Sequence, residues 1–124
     1  MTYTNMSPAF EASLDEFSVP VELQEGFWNY FMYGWEPGSL GLAILENDFC
    51  AAVCRAHPSL SAEHLRHIAK WFYNTRLPRA AYGSAKNILY WKSLSNEQRR
   101  EIMEDHKLCP TVFDVLRATP GPDL

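Results

Sequence analysis

Apolar side chains recur at helical spacing along most of the chain, and no segment alternates apolar and polar positions as a half-buried β-strand does. The first apolar run follows Ser7-Pro8, a pair typical of a helix N-terminus. A second helix is predicted over about residues 20–33, with Gly34 as its C-terminal stop. The first part of the chain therefore predicts two helices.

The apolar run that follows the turn GWEPGS predicts one long helix over about residues 40–56, and Ser39 is well placed to cap it. Because this segment is apolar on nearly every face, we expect it to be the central helix of the fold. The polar pair Asn47-Asp48 interrupts it. Buried polar side chains need hydrogen-bond partners, so the pair either ties the helix to the turn or to an arginine, or faces a pocket or a partner.

Serine side chains mark the starts of the later helices. Ser59 or Ser61 can cap a helix over about residues 61–75, and Tyr82-Gly83-Ser84 starts another. The capping box that begins at Ser95 opens the next, and a short last helix is predicted after Pro110.

These elements predict a single all-α domain over residues 1–124, a compact bundle of about five to seven short helices. Residues 1–7 and 118–124 are expected to be flexible. No apolar run approaches the ~20 residues that a membrane helix needs, and the N-terminus lacks the layout of a signal peptide. Three cysteines are too few for a disulfide scaffold, so a reducing cytoplasm is the expected location.

The net charge of −4 is unevenly divided along the chain. Residues 1–54 contain eight acidic side chains and no lysine or arginine, whereas residues 55–107 contain ten basic and five acidic ones. No acid lies between Glu63 and Glu97. Such asymmetry indicates binding partners of opposite charge, although six cations in that window are too few for strong binding to duplex nucleic acid.

The acid-free segment interleaves cations with aromatic side chains, which suits phosphate groups and planar rings respectively. The segment therefore predicts a binding site for an anionic small molecule such as a signalling nucleotide. The cations would bind its phosphate groups, and Tyr82 or Trp91 would stack on its base. The alternative is that the aromatic residues pack in the core and the cations are merely solvated. The predicted ligand-binding residues are Arg66, Lys70, Arg76, Arg79, Tyr82, Ser84, Lys86 and Trp91.

Six aromatic residues fall within residues 27–35, more than one helix face can bury in a small domain. Exposed aromatic residues beside acids are typical of protein–protein hot spots. They predict a surface for a basic protein, or a homo-oligomer in which acidic residues 1–54 meet basic residues 55–107 of a second copy. The predicted partner-binding residues are Trp28, Tyr33, Trp35, Glu36, Asn47 and Asp48.

Cys50, Cys54 and His57 are spaced so that a helix could present three zinc ligands, with His64 or Cys109 as a fourth. The alternative is that the cysteines are small core residues. The spacing is not that of a zinc knuckle, and no Gly-rich oxyanion turn accompanies either cysteine. We therefore expect no metal, no cofactor and no catalytic residue.

The run PGSLGLAILENDFCAAVCRA (residues 37–56) is followed by WFYNTRLPRAAYGSAKNILYW (residues 71–91). Over about residues 20–92 this order resembles a widespread family of small, uncharacterised bacteriophage and prophage proteins. The chain departs from the family in Ala85, where a proline is common, and in residues 95–124, which look like an extension. The matching positions are Pro37, Gly38, Ser39, Ala43, Leu45, Asn47, Asp48, Ala52, Tyr73, Asn74, Pro78, Tyr82, Gly83, Ser84 and Trp91.

The resemblance implies a phage gene product that acts in the cytoplasm of a bacterial host cell. By analogy with other small phage proteins that lack catalytic motifs, a role in counter-defence or host takeover is expected. Together with the charge pattern, the resemblance predicts a non-catalytic protein that sequesters a phosphorylated or nucleotide signal through residues 66–92. One alternative is a protein inhibitor that blocks a bacterial defence complex with its acidic aromatic face. Another is a cryptic Cys/His zinc protein or enzyme.

Overall fold

The computed structural model describes residues 6–58 and 60–109, and within them the chain forms helices and no β-strand. The predicted all-α class is confirmed. The predicted helix after Pro110 and the predicted flexible segment 118–124 lie outside the described residues. The elements are α1 (Pro8–Glu16), α2 (Val21–Tyr33), α3 (Ser39–Leu45), α4 (Phe49–Arg55), α5 (Ala62–Asn74), a 3₁₀ turn (Arg79–Ala81), α6 (Ala85–Ser93) and α7 (Asn96–Asp105).

Four of these helices begin at serines whose hydroxyl groups accept a hydrogen bond from the backbone N–H three residues later. These serines are Ser7, Ser61, Ser84 and Ser95. A hydroxyl in this place satisfies one of the donors that a helix start leaves free. The predicted starts of α1, α5, α6 and α7 are therefore confirmed.

The single helix predicted over residues 40–56 is wrong, because the chain forms α3 and α4 with a break between them. Asn47 adopts a left-handed conformation with φ of 62°, and the Asp48 carboxylate accepts a hydrogen bond from the Ala51 N–H at 3.0 Å. Asn and Asp side chains compete with helical hydrogen bonding, so this pair ends α3 and caps α4. The predicted cap at Ser39 is also wrong, since the N-cap position of α3 is Gly38.

The central helix is α2, and the prediction that residues 40–56 occupy the centre is wrong. α4 buries Ala52 alone and α3 buries three small or aliphatic residues, whereas α2 buries six of its 13 residues, four of them aromatic. The aromatic ring of Phe31 lies near those of Phe10 and Trp71, with centroids 6.0 and 6.4 Å apart. The buried residues of α2 are Gln24, Phe27, Trp28, Tyr30, Phe31 and Met32.

Both ends of the described chain belong to this core. Met6 and Ser7 are buried, and the Ser7 hydroxyl donates to the carbonyl of Leu108 at 2.5 Å. Residues 1–5 lie outside the described part, and the flexibility predicted for residues 1–7 stays a prediction. Met103 of α7 is fully buried, so the segment predicted to be an extension completes the core.

Arg99 is buried, and its guanidinium donates to backbone carbonyls at the C-terminal ends of α2 and α6 and to one side chain at the start of α7. The acceptors are the carbonyls of Met32, Tyr33, Trp91, Lys92 and Leu94 and the side-chain oxygen of Asn96. Burial lowers the pKa of Arg99, but an arginine stays charged at neutral pH. The charge thus lies where helix carbonyls carry partial negative charge, and it joins α2 to α6.

Gly34 ends α2 directly beside this guanidinium. It has a φ of +68°, and a Cβ atom there would lie 2.8 Å from Nη1 of Arg99. A larger residue would be strained in this left-handed conformation and would displace the arginine. The predicted stop at Gly34 is confirmed, with a packing reason that its sequence position does not reveal.

Stability is expected to fall at alkaline pH because of Tyr30, whose buried hydroxyl donates to the carbonyl of Ala81 at 2.5 Å. Burial raises the pKa of Tyr30, and Arg99 opposes this only in part. The contribution is complete below the unfolded-state pKa of about 10 and is lost as the pH rises toward the higher folded-state pKa. Urea unfolding should therefore give a lower free energy at about pH 11 than at about pH 9.

The variant Tyr30→Phe should lose about 1 kcal/mol at neutral pH and show a smaller alkaline loss than the wild type. Some pH dependence should persist, because burial also raises the pKa of the Cys109 thiol. Tyr90→Phe is the matched control, since Tyr90 is exposed. Equal pH dependence in the wild type and Tyr30→Phe would contradict the assignment.

Candidate functional site

A cavity of about 390 Å³ opens between three walls, which are the corner from α3 to α4, one side of α5 and the loop before α6. The corner exists because Asn47 and Asp48 break the apolar run. It places those two polar side chains beside the apolar side chains of Phe49 and Ala52. Phe49 is 75% exposed, so it stands at the mouth of the cavity.

The second wall follows from the helical spacing of α5. Leu65, Ile68 and Phe72 turn the same side of the helix toward the cavity, and Tyr73 lies at the rim with 90% of its surface exposed. Trp71, on another side of α5, is fully buried and its indole N–H donates to the Ser13 hydroxyl at 3.0 Å. One face of α5 therefore anchors the helix, and the adjacent face lines the cavity.

The third wall is the loop that contains Arg79, Tyr82 and Gly83. The Gly83 N–H donates to the carbonyl of Leu45 at 2.7 Å, which fixes the loop to the end of α3. Gly83 has a φ of +106°, a conformation that side chains disfavour. The Asn87 amide donates to the carbonyl of Tyr82 at 2.9 Å, so the Tyr82 backbone is held from both sides.

The cavity has a mostly apolar lining with a few polar groups. The ring centroids of Phe72 and Tyr82 are 4.9 Å apart, which gives an aromatic side to the interior. Asp48 contributes a carboxylate and Arg79 a guanidinium, and within the described residues the two form no ion pair with each other. The apolar and aromatic side chains can hold a flat apolar group. The Asp48 carboxylate can accept hydrogen bonds from N–H groups of that ligand, and the Arg79 guanidinium can bind an anion.

Of the eight predicted ligand-binding residues, Arg79 and Tyr82 line the cavity. Ser84 caps α6, and Arg66 forms an ion pair with Glu63 at 3.8 Å. The side chains of three further predicted residues are exposed but lie outside the lining, and these are Lys70, Arg76 and Lys86.

Two of the predicted aromatic binding residues, Trp28 and Trp91, lie in the core. Trp91 is fully buried, and its indole N–H donates to the carbonyls of Tyr30 and Phe31 at 3.2 Å each. Trp28 is also buried, and its ring centroid lies 5.0 Å from that of Phe10. Neither side chain can stack on a ligand or contact a partner without unpacking the core.

The other predicted partner-binding residues lie in two places. Trp35 is 61% exposed and its ring packs on that of Tyr33, with centroids 5.3 Å apart. Next to it, the Glu36 carboxylate accepts a hydrogen bond from the Lys92 ammonium at 3.0 Å. Asn47 and Asp48 are exposed at the cavity instead.

No three His, Cys, Asp or Glu side chains within residues 6–58 and 60–109 come together closely enough to hold a metal ion. Cys50 and Cys54 are exposed on α4, whereas Cys109 is buried. The Nδ1 atom of His64 accepts a hydrogen bond from the Ser61 N–H at 2.9 Å and so belongs to the cap of α5. Within the described residues of one chain, neither His57 nor the predicted fourth ligand, His64 or Cys109, completes a metal site with the two cysteines.

The sequence interpretation missed Phe49, Ala52 and the apolar face of α5 as parts of a site. The signal that could have found them is the pair Asn47-Asp48. Because Asp is a strong helix N-cap and Asn tolerates the left-handed region, the pair indicates a break and therefore a corner.

None of the helices in the described part of the chain is long and apolar enough to cross a membrane. Comparisons with protein-family models, with curated proteins and with solved structures found no match. The resemblance to phage proteins stays a prediction, and the functional interpretation depends on the geometry of the cavity.

Proposed function

We propose that the protein is a non-catalytic binding protein that holds a nucleotide-like ligand, with a flat apolar part and an anionic group, in this cavity. The observation that carries the proposal is that Arg79 and Tyr82, two residues of the acid-free segment, line one cavity with Asp48. A counter-defence factor that sequesters a signalling nucleotide would act in this way.

The size and lining of the cavity favour a compact ligand. Its volume of about 390 Å³ lies at the small end of the range of about 300–1,000 Å³ that is typical of ligand pockets. The apolar floor and the ring of Tyr82 suit a base, because every base has a planar face that stacks on aromatic side chains. The carboxylate of Asp48 is an acceptor for the N–H groups on the edge of a base.

The charges favour one or two phosphate groups over a long polyphosphate. Arg79 is the cation in the lining, and a guanidinium binds phosphate with paired hydrogen bonds. Lys70 lies three residues before Tyr73 on α5, so it occupies the same exposed side of the helix as the rim of the cavity. Together these side chains would neutralise an anion at the mouth.

The absence of a reactive pair in the lining supports binding without catalysis. Among the described residues that line the cavity, there is no Ser, Cys, His or Lys. Asp48 is the sole carboxylate there, and its side chain already accepts the N-cap hydrogen bond of α4. The usual nucleophile–base pair, in which a Ser, Cys or Lys lies beside a His, is therefore missing from the described residues of this lining.

The proposal is tested by calorimetric titration with AMP, GMP and their cyclic forms. We expect at least one of them to bind, and Arg79→Ala to weaken that binding about 10-fold or more, because a hydrogen bond to a charged group contributes about 1.5–3 kcal/mol. Ala69→Trp should block binding, since Ala69 lines the cavity from an exposed position on α5 and a large side chain there would fill it.

Arg76→Ala is the matched control. It removes the same charge from the same basic segment, but Arg76 does not line the cavity. Equal losses in Arg76→Ala and Arg79→Ala would mean that general charge, and not the cavity, attracts the ligand. Failure of all four nucleotides to bind the wild type would refute the proposed ligand class.

A second candidate function is a protein-binding inhibitor that uses the surface around Trp35. The observation that favours it is the exposed ring of Trp35, which packs on the half-buried ring of Tyr33 next to the ion pair of Glu36 with Lys92. Aromatic side chains of this kind are typical of hot spots. Since Trp35 lies outside the cavity lining, Trp35→Ala should leave nucleotide binding unchanged and abolish capture of a protein partner.

A further inference from the structure

The outer side of α4 is apolar, the reverse of an ordinary surface helix. Phe49 and Val53 are 75% and 47% exposed, and Cys50 and Cys54 are exposed beside them. Surface helices normally turn charged and polar residues to the solvent. This stripe carries no charge and contains two thiols, so it has the properties of a covered face.

The two thiols lie on the same side of the helix because their residues are four positions apart. Zinc in structural sites takes four ligands in a tetrahedron, and cysteine thiolates are among its preferred ligands. One chain offers two thiols here, and within the described residues no third ligand of the same chain completes a site. Half of a tetrahedral ligand set is therefore present on an exposed face.

We propose that two copies of the chain pair through α4 and bind one zinc ion between them, with Cys50 and Cys54 of each copy as the four ligands. The zinc ion exchanges its water ligands for four sulfur atoms, and the four thiols release their protons to the solvent. No electron is transferred. Neither copy alone completes the site.

A second copy fits this face better than another partner because the site requires the same ligands twice. The uncharged stripe brings no like charges together when it meets itself. In an antiparallel crossing around a two-fold axis, the acidic end of one α4 at Asp48 lies beside the basic end of the other at Arg55. The zinc ion with four thiolates has a charge of −2. The nearest cation in sequence is Arg55, which follows Cys54 in each copy and whose guanidinium donates to the carbonyl of Ser39 at 3.1 Å.

The inference depends on α4 and not on the nucleotide proposed for the cavity. Phe49 belongs to both surfaces, because it lines the mouth of the cavity and forms one end of the stripe, but the cysteines are not part of the cavity lining. Zinc binding and nucleotide binding can therefore succeed or fail separately.

The experiment treats the full chain with a chelator and a reductant, removes both, and titrates it with zinc chloride alone. Native mass spectrometry and sedimentation velocity then report metal content and mass. We expect a monomer without zinc and a dimer with one zinc ion per pair of chains. The double variant Cys50→Ser/Cys54→Ser should lose both zinc and dimer, while Cys109→Ser, which changes the buried cysteine, should retain both.

A further variant, Val53→Lys, keeps all four thiols but places a charge in the stripe. It should weaken zinc binding about 10-fold or more, since the site forms only when the copies pair. Circular dichroism would confirm that each variant is folded. The inference is overturned if zinc binds one ion per monomer, if the dimer forms equally well without zinc, or if the wild type takes up no zinc.

Discussion

Replacing Arg99 with methionine is expected to lower the free energy of unfolding by about 3–5 kcal/mol. Methionine keeps much of the side-chain length but has no donor. The carbonyls of Met32 and Tyr33 in α2 would lose the hydrogen bonds from Arg99 in a buried place, and that of Trp91 in α6 would keep its bond from the Leu94 N–H. Each unsatisfied buried polar group costs about 1–3 kcal/mol, and part of this cost will be recovered where water can enter.

Chemical denaturation monitored by circular dichroism measures this effect, and Arg100→Met is the matched control. Arg100 is the next residue of α7, but its side chain is exposed and forms an ion pair with Glu104 at 3.1 Å. Exposed ion pairs contribute about 0–1 kcal/mol, so the control should unfold nearly as the wild type does. Similar losses in the two variants would show that Arg99 does not join the helix ends.

The variant Arg99→Lys separates charge from geometry. A lysine restores the positive charge, but its single ammonium cannot reach the ends of α2 and α6 together as the planar guanidinium does. We expect a loss of about 2 kcal/mol or more. Full rescue by lysine would mean that the charge alone stabilises the two helix ends.

Helix starts could be predicted from the sequence because capping is local chemistry. The hydroxyl groups of Ser7, Ser61, Ser84 and Ser95 each accept from a backbone N–H three residues later, and that geometry needs nothing from the rest of the fold. The stop at Gly34 is local for the same reason. These signals are sufficient for the fold class and for most helix boundaries.

The break at Asn47 could not be predicted from apolar periodicity, because the apolar residues on its two sides keep helical spacing through it. A continuous helix would have to bury both polar side chains or turn them to solvent, whereas the break gives Asp48 a backbone partner. The cavity lies at the resulting corner. Because the sequence predicts one continuous helix here, it does not predict the corner that forms one wall of the site.

The burial of Arg99 could not be predicted from the sequence for another reason. Arg99 and Arg100 are adjacent and chemically identical, and α7 turns them about 100° apart around its axis. The packing of α7 against α2 decides which of them is buried. No local pattern in the sequence carries that information.

The sequence likewise does not show that Trp91 is buried and Trp35 exposed. Their replacement by alanine is therefore expected to have a large effect on stability at Trp91 and a small one at Trp35. Trp91→Ala should lower the free energy of unfolding by about 3–5 kcal/mol, because it removes a fully buried ring and leaves a cavity. Trp35→Ala should change it by less than about 0.5 kcal/mol, because the ring of Trp35 is largely exposed.

The conservative variant Trp91→Phe decides between a core role and the ligand-stacking role that the sequence predicts for Trp91. Phenylalanine keeps an aromatic ring but cannot donate to the carbonyls of Tyr30 and Phe31, so we expect a loss of about 1–3 kcal/mol from the lost hydrogen bonds and the smaller ring. Any nucleotide that binds the wild type should bind this variant with unchanged affinity, since Trp91 does not line the cavity. A fall in calorimetric affinity with unchanged unfolding would instead restore Trp91 to the binding site, because a residue that contacts only the ligand contributes nothing to the stability of the free protein.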